Sequence, residues 1–360
     1  MVDSKSKAPS LARVWRGMAF SPWRWLFAML LILGVSLWLV VLALPTILER
    51  WLNHRLEKLG QFHAHVGSVL IDWEDKSIGL RDVELAPRTR AKRRIVFFRA
   101  RKVLVRPVWE GYRSRRAIVL DLALFEPVVD VSDRQLPQVL AAFRRSDLIQ
   151  KFRKARPILL RRSRILRGSI HYRALALDPP TDFYMTHVDL LVRDIANRAS
   201  LLPPKGSRVE GKGFVFGRSA LDIEAQAHLF RRPIACSGGV VLHALQVRRL
   251  NPLFERFTRM DFEGGQLDLS AQARCQGEAL KLTLRPTLRD LRIFELGKEK
   301  GPLRERIREA LLGGTLQRVA GLKGREASTR LELLLPFAEP KLDRGKLIRD
   351  AIAHLQSKPL

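Results

Sequence analysis

The most constraining feature of this sequence is an uncharged apolar stretch of twenty residues, 25–44 (WLFAMLLILGVSLWLVVLAL). A helix rises about 1.5 Å per residue, so this stretch spans about 30 Å, the hydrocarbon thickness of a bilayer. Ser21 and Pro22 form a suitable helix start before it. The pattern therefore predicts a single membrane-spanning helix. The residues that mark this span are Trp25, Leu30, Leu37 and Leu44.

A cleaved signal peptide and a buried soluble helix are the alternatives to a membrane anchor. Signal peptides have an apolar core of about 7 to 15 residues and a small-x-small cleavage site. The stretch here is longer, and 41–43 (VLA) is a poor cleavage site. A buried helix would need a protein large enough to cover it on every side. The uncleaved anchor is favoured, and the other two interpretations remain open.

The residues before the apolar stretch predict its orientation. Segment 1–24 contains five basic residues and one acid. By the positive-inside rule this short flank stays in the cytoplasm, because long domains are translocated largely regardless of their charge. In a Gram-negative bacterium the body would then lie in the periplasm. We expect a single-pass inner-membrane protein with a cytoplasmic N-terminus and a periplasmic C-terminal body.

The chain is strongly basic, with 65 Lys plus Arg, 36 Asp plus Glu and a net charge of +29. Such a charge can indicate nucleic acid as a partner. However, the basic residues are spread along the chain, and no helix-turn-helix, zinc-finger or RNA-binding signature is present. A body held at a bilayer can place the same charge against anionic lipid headgroups. We therefore expect the membrane, and no nucleic acid, as the partner.

Beyond the apolar stretch, periodicity divides the chain. Segment 45–60 predicts an amphipathic juxtamembrane helix, 61–134 a first β-meander, 135–157 a helix, 158–300 the main sheet, and 301–360 C-terminal helices with a last strand. The predicted strands are 65–73, 77–85, 101–105, 117–124, 168–172, 186–193, 212–216, 221–229, 239–247, 266–276, 280–285 and 331–336, and the C-terminal helices are 301–321 and 344–355. The fold class is mainly β with a few helices (α+β).

The clearest alternation lies in 221–229 (LDIEAQAHL) and 267–276 (LDLSAQARCQ), where apolar and polar residues alternate throughout if Ala is counted as apolar. One face of each strand is apolar, which is typical of an antiparallel sheet with one covered or lipid-filled side. The predicted helices are too few to cover so many strands. Part of the apolar face must therefore close on itself or stay open.

Three segments come close to motifs for phosphate binding, metal binding or nucleophilic catalysis, but none of them matches its motif. Segment 206–213 nearly fits a phosphate-binding loop, but Gly213 stands where Mg²⁺ needs a hydroxyl, and a strand pattern follows where a helix is required. His63 and His65 lack a third metal ligand nearby. Segment 235–239 lacks the first glycine of a nucleophile elbow. We expect no catalytic residues, no metal site and no cofactor, and hence no enzyme.

The sequence contains two cysteines, Cys236 and Cys275. In an oxidising compartment they could form a disulfide, provided that the fold brings them close together. Two small buried thiols are the alternative. The sequence leaves both open.

Four segments resemble the AsmA-like envelope proteins, and most closely the group called domain of unknown function 748. They are the helix exit at 44–60, the strand pair at 69–85, the strand-turn-strand unit at 102–131, and 248–270, where Leu250-Asn251-Pro252 precedes a short helix and a glycine-led strand. The resemblance implies a periplasmic sheet curled into an apolar groove, as in the TamB and AsmA relatives proposed to move phospholipid between membranes. It implies no catalytic residue.

Two functions are consistent with these features. The first is binding or transfer of phospholipid, or another lipid, in cell-envelope maintenance. The second is a non-transporting scaffold or assembly factor, whose apolar sheet face is a closed core and whose partners include other envelope proteins. The residues expected to line a lipid groove are Phe214, Phe216, Leu221, Ile223, Leu267, Leu269, Leu282 and Leu284.

Overall fold

A computed structural model of the protein describes residues 22–57, 60–88, 96–109, 116–145, 148–228, 230, 234–253, 262–276, 279–293, 327–328 and 330–336. Within these residues, thirteen strands form one sheet. The predicted C-terminal helices 301–321 and 344–355 lie outside the described residues.

The N-terminal apolar stretch forms one long helix, α1 (Pro22–Glu57), of 36 residues. The predicted span and the predicted juxtamembrane helix are therefore continuous through Pro45. Leu30 and Leu37 are 62% and 64% exposed, as expected of side chains that need an apolar surrounding other than the protein. Of the helices described, α1 is the one that is long and apolar enough to cross a membrane.

The strands confirm a mainly β fold, and every predicted strand overlaps an observed one. They are β1 (Phe62–Asp72), β2 (Ser77–Pro87), β3 (Phe98–Pro107), β4 (Ile118–Ser132), β5 (Ile158–Ala174), β6 (Thr181–Ala196), β7 (Ser207–Val215), β8 (Ser219–His228), β9 (Ala235–Gln246), β10 (Phe262–Gln276), β11 (Ala279–Ile293), β12 (Ala327–Ser328) and β13 (Leu331–Pro336).

The strands lie side by side in chain order from β1 to β11, and β11 also pairs with both β12 and β13. All neighbours are antiparallel except β4 and β5, which run parallel. A parallel pair needs a long crossover connection, and here the connection contains α2 (Leu136–Arg145) and α3 (Leu148–Lys154). The prediction of a purely antiparallel sheet was thus wrong at this pair. The segments predicted as a first meander and a main sheet belong to one sheet.

Three buried clusters stabilise the sheet. One packs α2 against the start of β1, where the ring centroids of Phe62 and Phe143 are 4.8 Å apart. A second contains Val119 and Leu159, near the start of the parallel pair. A third surrounds Leu242 in the C-terminal half of the sheet. Each cluster is local, so none of the three forms a layer over the whole sheet.

The two cysteines form a disulfide between β9 and β10. Their Cα atoms are 4.9 Å apart, and the register continues from the neighbouring pairs Ser237 with Arg274 and Gly238 with Ala273. The bond resolves the alternatives left open by the sequence in favour of pairing. Disulfides persist in oxidising compartments and are rare in the cytosol.

We expect that replacing both cysteines by alanine, Cys236→Ala with Cys275→Ala, destabilises the protein. The bond joins residues separated by 39 positions, and closing a loop of that length in the unfolded chain is worth about 4 kcal/mol at most. Denaturant unfolding with and without a thiol reductant measures the effect. The reductant should destabilise the original chain and leave the double variant unchanged; an original chain that is insensitive to reductant would contradict the expectation.

Candidate functional site

The sheet has one apolar face that can be traced residue by residue through the strand register. Residues directly opposite each other on paired strands point to the same face of a sheet. One row of paired residues takes a single apolar residue or glycine from every strand except the two-residue β12. This row is Val69, Leu80, Val103, Leu124, Ile165, Leu190, Gly211, Ile223, Val240, Ala271, Leu284 and Leu331.

A second row runs beside the first, two residues along each strand. Ser163 is its one polar member. This row is Ile71, Ile78, Val105, Leu122, Ser163, Val192, Val209, Ala225, Gly238, Ala273, Leu282 and Leu333. We call the two rows together the apolar face. With strands about 4.8 Å apart, it is about 50 Å long.

The apolar face is partly exposed along its length. In the first row, every residue from Leu80 to Leu284 is half-buried, and in the second row every residue except Ser163 is half-buried. Residues in the middle of a closed core would be almost completely buried, because side chains from a second layer would cover them. Among the described residues, the helices lie elsewhere: α1 packs against β1, and α2 packs on the cluster around Phe62.

Local irregularities keep the long strands in phase with this face. A shift of one residue would turn every following side chain to the other face. Ala244 adopts φ 50°. On either side of it, Leu245 pairs with Leu267 and Leu242 pairs with Leu269, so β9 contains one more residue than β10 between these two pairs. Such bulges restore the apolar side. Arg167 and His187, with φ of 55° and 50°, lie at register shifts between β5 and β6. Asp82 and Glu126, both with φ 50°, have the same left-handed conformation without a register shift.

The opposite face is mostly polar and is crossed by ion pairs between neighbouring strands, although Leu70, Leu104 and Leu191 also lie on it. Glu126 of β4 accepts from Arg101 of β3 at 3.1 Å and from Arg167 of β5 at 2.8 Å. Hydrogen bonds from Lys281 and then Arg330 lower the pKa of the Glu332 carboxyl. Exposed pairs of this kind contribute little to stability, because water screens them. Their main consequence is that this face is suited to water and the other is not.

The structure brings five of the eight predicted groove residues into the cluster around Leu242. Phe216 and Leu221 are each 8% exposed, while the remaining three are half-buried against them. Leu282 and Leu284 lie in the two rows. The five residues in the cluster are Phe216, Leu221, Ile223, Leu267 and Leu269.

Phe214 lies on the other side of the sheet. It pairs with Ala220, whereas the adjacent Gly213 pairs with Leu221, a residue of the apolar cluster. Its ring centroid is 6.2 Å from that of His187 on β6. A spacing of two residues would place Phe214 and Phe216 on one face of a strand, but Phe216 lies in the turn after β7, with φ 51°. That turn removes the two residues from a common face.

Sequence reasoning missed the part of the apolar face formed by β1 to β6. Its members include Val103, Leu122 and Leu190. Strict alternation is interrupted there by left-handed residues such as Asp82 and Glu126, and β4 reads as a nearly continuous apolar run (IVLDLALF). A search that allowed one extra residue per strand could have found these positions.

Helix α1 borders the apolar face at β1. The Asn53 amide nitrogen donates to the Val66 carbonyl at 3.0 Å, and the Val66 N–H donates to the Asn53 side-chain oxygen at 2.9 Å. Arg88 donates to the Glu57 carbonyl at 3.0 Å. The amide of Asn53 thus occupies hydrogen-bonding groups on the outer edge of the sheet, which would otherwise be open to another strand.

Chemistry other than apolar contact has little support among the described residues. In that part of the chain, no group of three His, Cys, Asp or Glu side chains is placed to hold a metal ion. Ser163 Oγ is buried without a hydrogen-bond partner within the apolar face. Comparison with known proteins assigns no family, since no protein-family model and no curated protein matches the chain.

Proposed function

We propose that this protein is a single-pass membrane protein that binds lipid acyl chains on its apolar face and helps to transfer phospholipid, or another lipid, in cell-envelope maintenance. The observation that carries the proposal is the pair of in-register apolar rows. They run from the strand beside α1 to the far edge of the sheet, and most of their residues are half-buried.

The extent of the apolar face favours a lipid over water as its normal surrounding. Apolar surface contributes about 25 cal/mol per Å² when it is removed from water. Soluble monomers rarely expose contiguous apolar patches larger than a few hundred Å². Acyl chains have no hydrogen-bonding groups, and along both rows they would meet Ser163 as the one polar side chain.

The position of the face next to α1 gives lipid a route from the bilayer. Val69 and Ile71 of β1 begin the two rows, and β1 is the strand against which α1 packs. A chain leaving the bilayer at this strand could move along the rows without crossing a polar barrier other than Ser163. A face of about 50 Å is too short to reach a second membrane without help, so a partner would complete the path.

The proposed location of the body is the periplasm of a Gram-negative bacterium. The basic N-terminal flank supports this orientation, and the disulfide between Cys236 and Cys275 suits an oxidising compartment. In this proposal the protein is an AsmA-like relative, with basic residues available for anionic headgroups.

A non-transporting envelope scaffold is the second candidate. It is favoured by the cluster around Leu242, in which Phe216, Leu221 and Leu245 are buried as in an ordinary core. In this alternative, the apolar face supports the fold and the ion-paired face binds other envelope proteins.

The test is whether lipid stays with the protein. The full chain, extracted in mild detergent and washed through several detergent exchanges, should retain phospholipid that mass spectrometry detects in a fixed ratio to protein. It should also accept a fluorescent phospholipid from donor vesicles. A chain that is folded and membrane-inserted, retains no lipid and accepts none would contradict the proposed function and favour the scaffold.

A further inference from the structure

The end of the sheet that carries the β1–β2 turn lies beside the membrane helix. Asn53 is hydrogen-bonded to Val66 within β1. Glu57, one turn farther along the helix, accepts a hydrogen bond from Arg88, whose N–H donates to the Gln61 carbonyl just before β1. Helix α1 and β1 therefore run antiparallel. Following β1 toward its end therefore leads back along α1 toward the predicted membrane span.

The packing of α1 shows how far this contact extends. Half-buried leucine side chains of α1 form a stripe that stops at Leu44, where the predicted span ends. The stripe consists of Leu56, Leu52, Leu48 and Leu44. From Asn53 back to Leu44 the helix covers about 14 Å. From Val66 to the turn the strand covers about 23 Å, which is more than enough to bring the turn level with Leu44.

Two exposed tryptophans lie at this end of the sheet. Trp73 in the β1–β2 turn is 61% exposed, and Trp109, just after β3, is 65% exposed. Arg106 at the end of β3 forms an ion pair of 3.2 Å with Asp75 in the β1–β2 turn. This pair holds the turn next to the end of β3. Tryptophan concentrates at membrane–water interfaces, where its ring is apolar and its N–H remains hydrated.

Charge does not explain this surface. The turn carries Asp72, Glu74, Asp75 and Lys76, and β3 adds Lys102 and Arg106. Among these described residues of the turn and of β3, the three acids and three bases balance, so this part of the surface is not a headgroup-binding cation patch. Its distinguishing property is the pair of exposed indole rings at the level of the helix exit.

We propose that Trp73 and Trp109 insert into the interfacial layer of the same bilayer that holds α1. This inference rests on the proposed membrane anchor. The tryptophans form a second point of attachment beside the helix, and two points fix the inclination of the sheet. The start of the apolar face on β1 is thereby held against the lipid surface and cannot swing away on α1 alone.

Spin-label accessibility in vesicles tests the inference on the full chain. Single cysteines are introduced by Trp73→Cys or Lys76→Cys in the turn, Leu37→Cys in the span, and Arg218→Cys in the β7–β8 turn at the opposite end of the strands. The native cysteines are bonded to each other and do not react. Each labelled protein is reconstituted into vesicles of phosphatidylcholine and phosphatidylglycerol, and nitroxide relaxation by oxygen and by a water-soluble nickel chelate is measured.

The labels at 73 and 76 should be severalfold less accessible to nickel than the label at 218. Removing both rings from the Lys76→Cys protein, by Trp73→Ser with Trp109→Ser, should raise its nickel accessibility to the level at 218. Full nickel accessibility at 73 and 76, with the Leu37 label protected, would overturn this inference alone. Nickel access at 37 as well would overturn the membrane anchor and, with it, the proposed function.

Discussion

Replacing Ala271 by aspartate is expected to lower lipid binding several-fold and leave the sheet folded. Ala271 lies in the first row of the apolar face, paired with Val240 on β9 and Leu284 on β11, and it is half-buried. The substitution removes no packed side-chain volume and leaves no cavity. It adds one negative charge to the middle of the apolar face.

The two proposed functions predict opposite results for this variant. On a face that is open to water or lipid, the carboxylate is hydrated and costs little in the empty protein, but acyl chains would have to desolvate it, at several kcal/mol. In a closed core the same unpaired charge would be buried in the folded protein itself. The scaffold therefore predicts unfolding of the variant, and lipid binding predicts a folded variant that binds several-fold less lipid.

Ser270→Asp is the matched control. Ser270 is the preceding residue of β10 and belongs to the polar face, opposite Arg285. Both variants should keep the thermal transition of the original chain, while the phospholipid measured by mass spectrometry falls several-fold for Ala271→Asp alone. Leu282→Asp, in the second row, should repeat the lipid loss with some destabilisation. Retention of lipid by both row variants would contradict binding on this face.

The elements that could be predicted from sequence are those whose signal lies within a short segment. The apolar stretch of α1 is readable because a bilayer-spanning helix must be uncharged over its own length. Strands β8 and β10 are readable because their alternation is unbroken. In both cases one segment contains the full information.

The continuity of the apolar face could not be predicted, because it depends on register. The pairing of Leu124 with Ile165, for example, joins residues on either side of the two crossover helices. Neither residue's neighbours in sequence indicate a parallel partner. Strand length was also underestimated, since a left-handed residue such as Glu126, with φ 50°, interrupts the period-two pattern inside one strand of 15 residues.

Asn197→Ala is expected to lower the free energy of unfolding by about 2 to 4 kcal/mol, because it removes a hydrogen-bonding centre on which the parallel crossover depends. Asn197 is 3% exposed. Its side-chain oxygen accepts from the Ile158 N–H at 2.9 Å. Its amide nitrogen donates to the Phe152 and Arg156 carbonyls, each at 2.9 Å. One amide thus links α3, the segment after it and the first residue of β5.

The effect should extend to the apolar face. Alanine removes the side-chain partner of the part-buried Ile158 N–H and Arg156 carbonyl, and it leaves the Phe152 carbonyl with a longer bond of 3.3 Å from the Ala155 N–H. This weakens the start of β5, the strand that joins both rows to β4. Arg198→Ala is the control, because Arg198 is exposed and makes one long bond, 3.4 Å, to the Ala155 carbonyl. Denaturant unfolding should show the loss for Asn197→Ala only, accompanied by lower phospholipid retention. Equal losses for the two variants would mean that the crossover is held by its apolar contacts with the cluster around Leu159, and not by this amide.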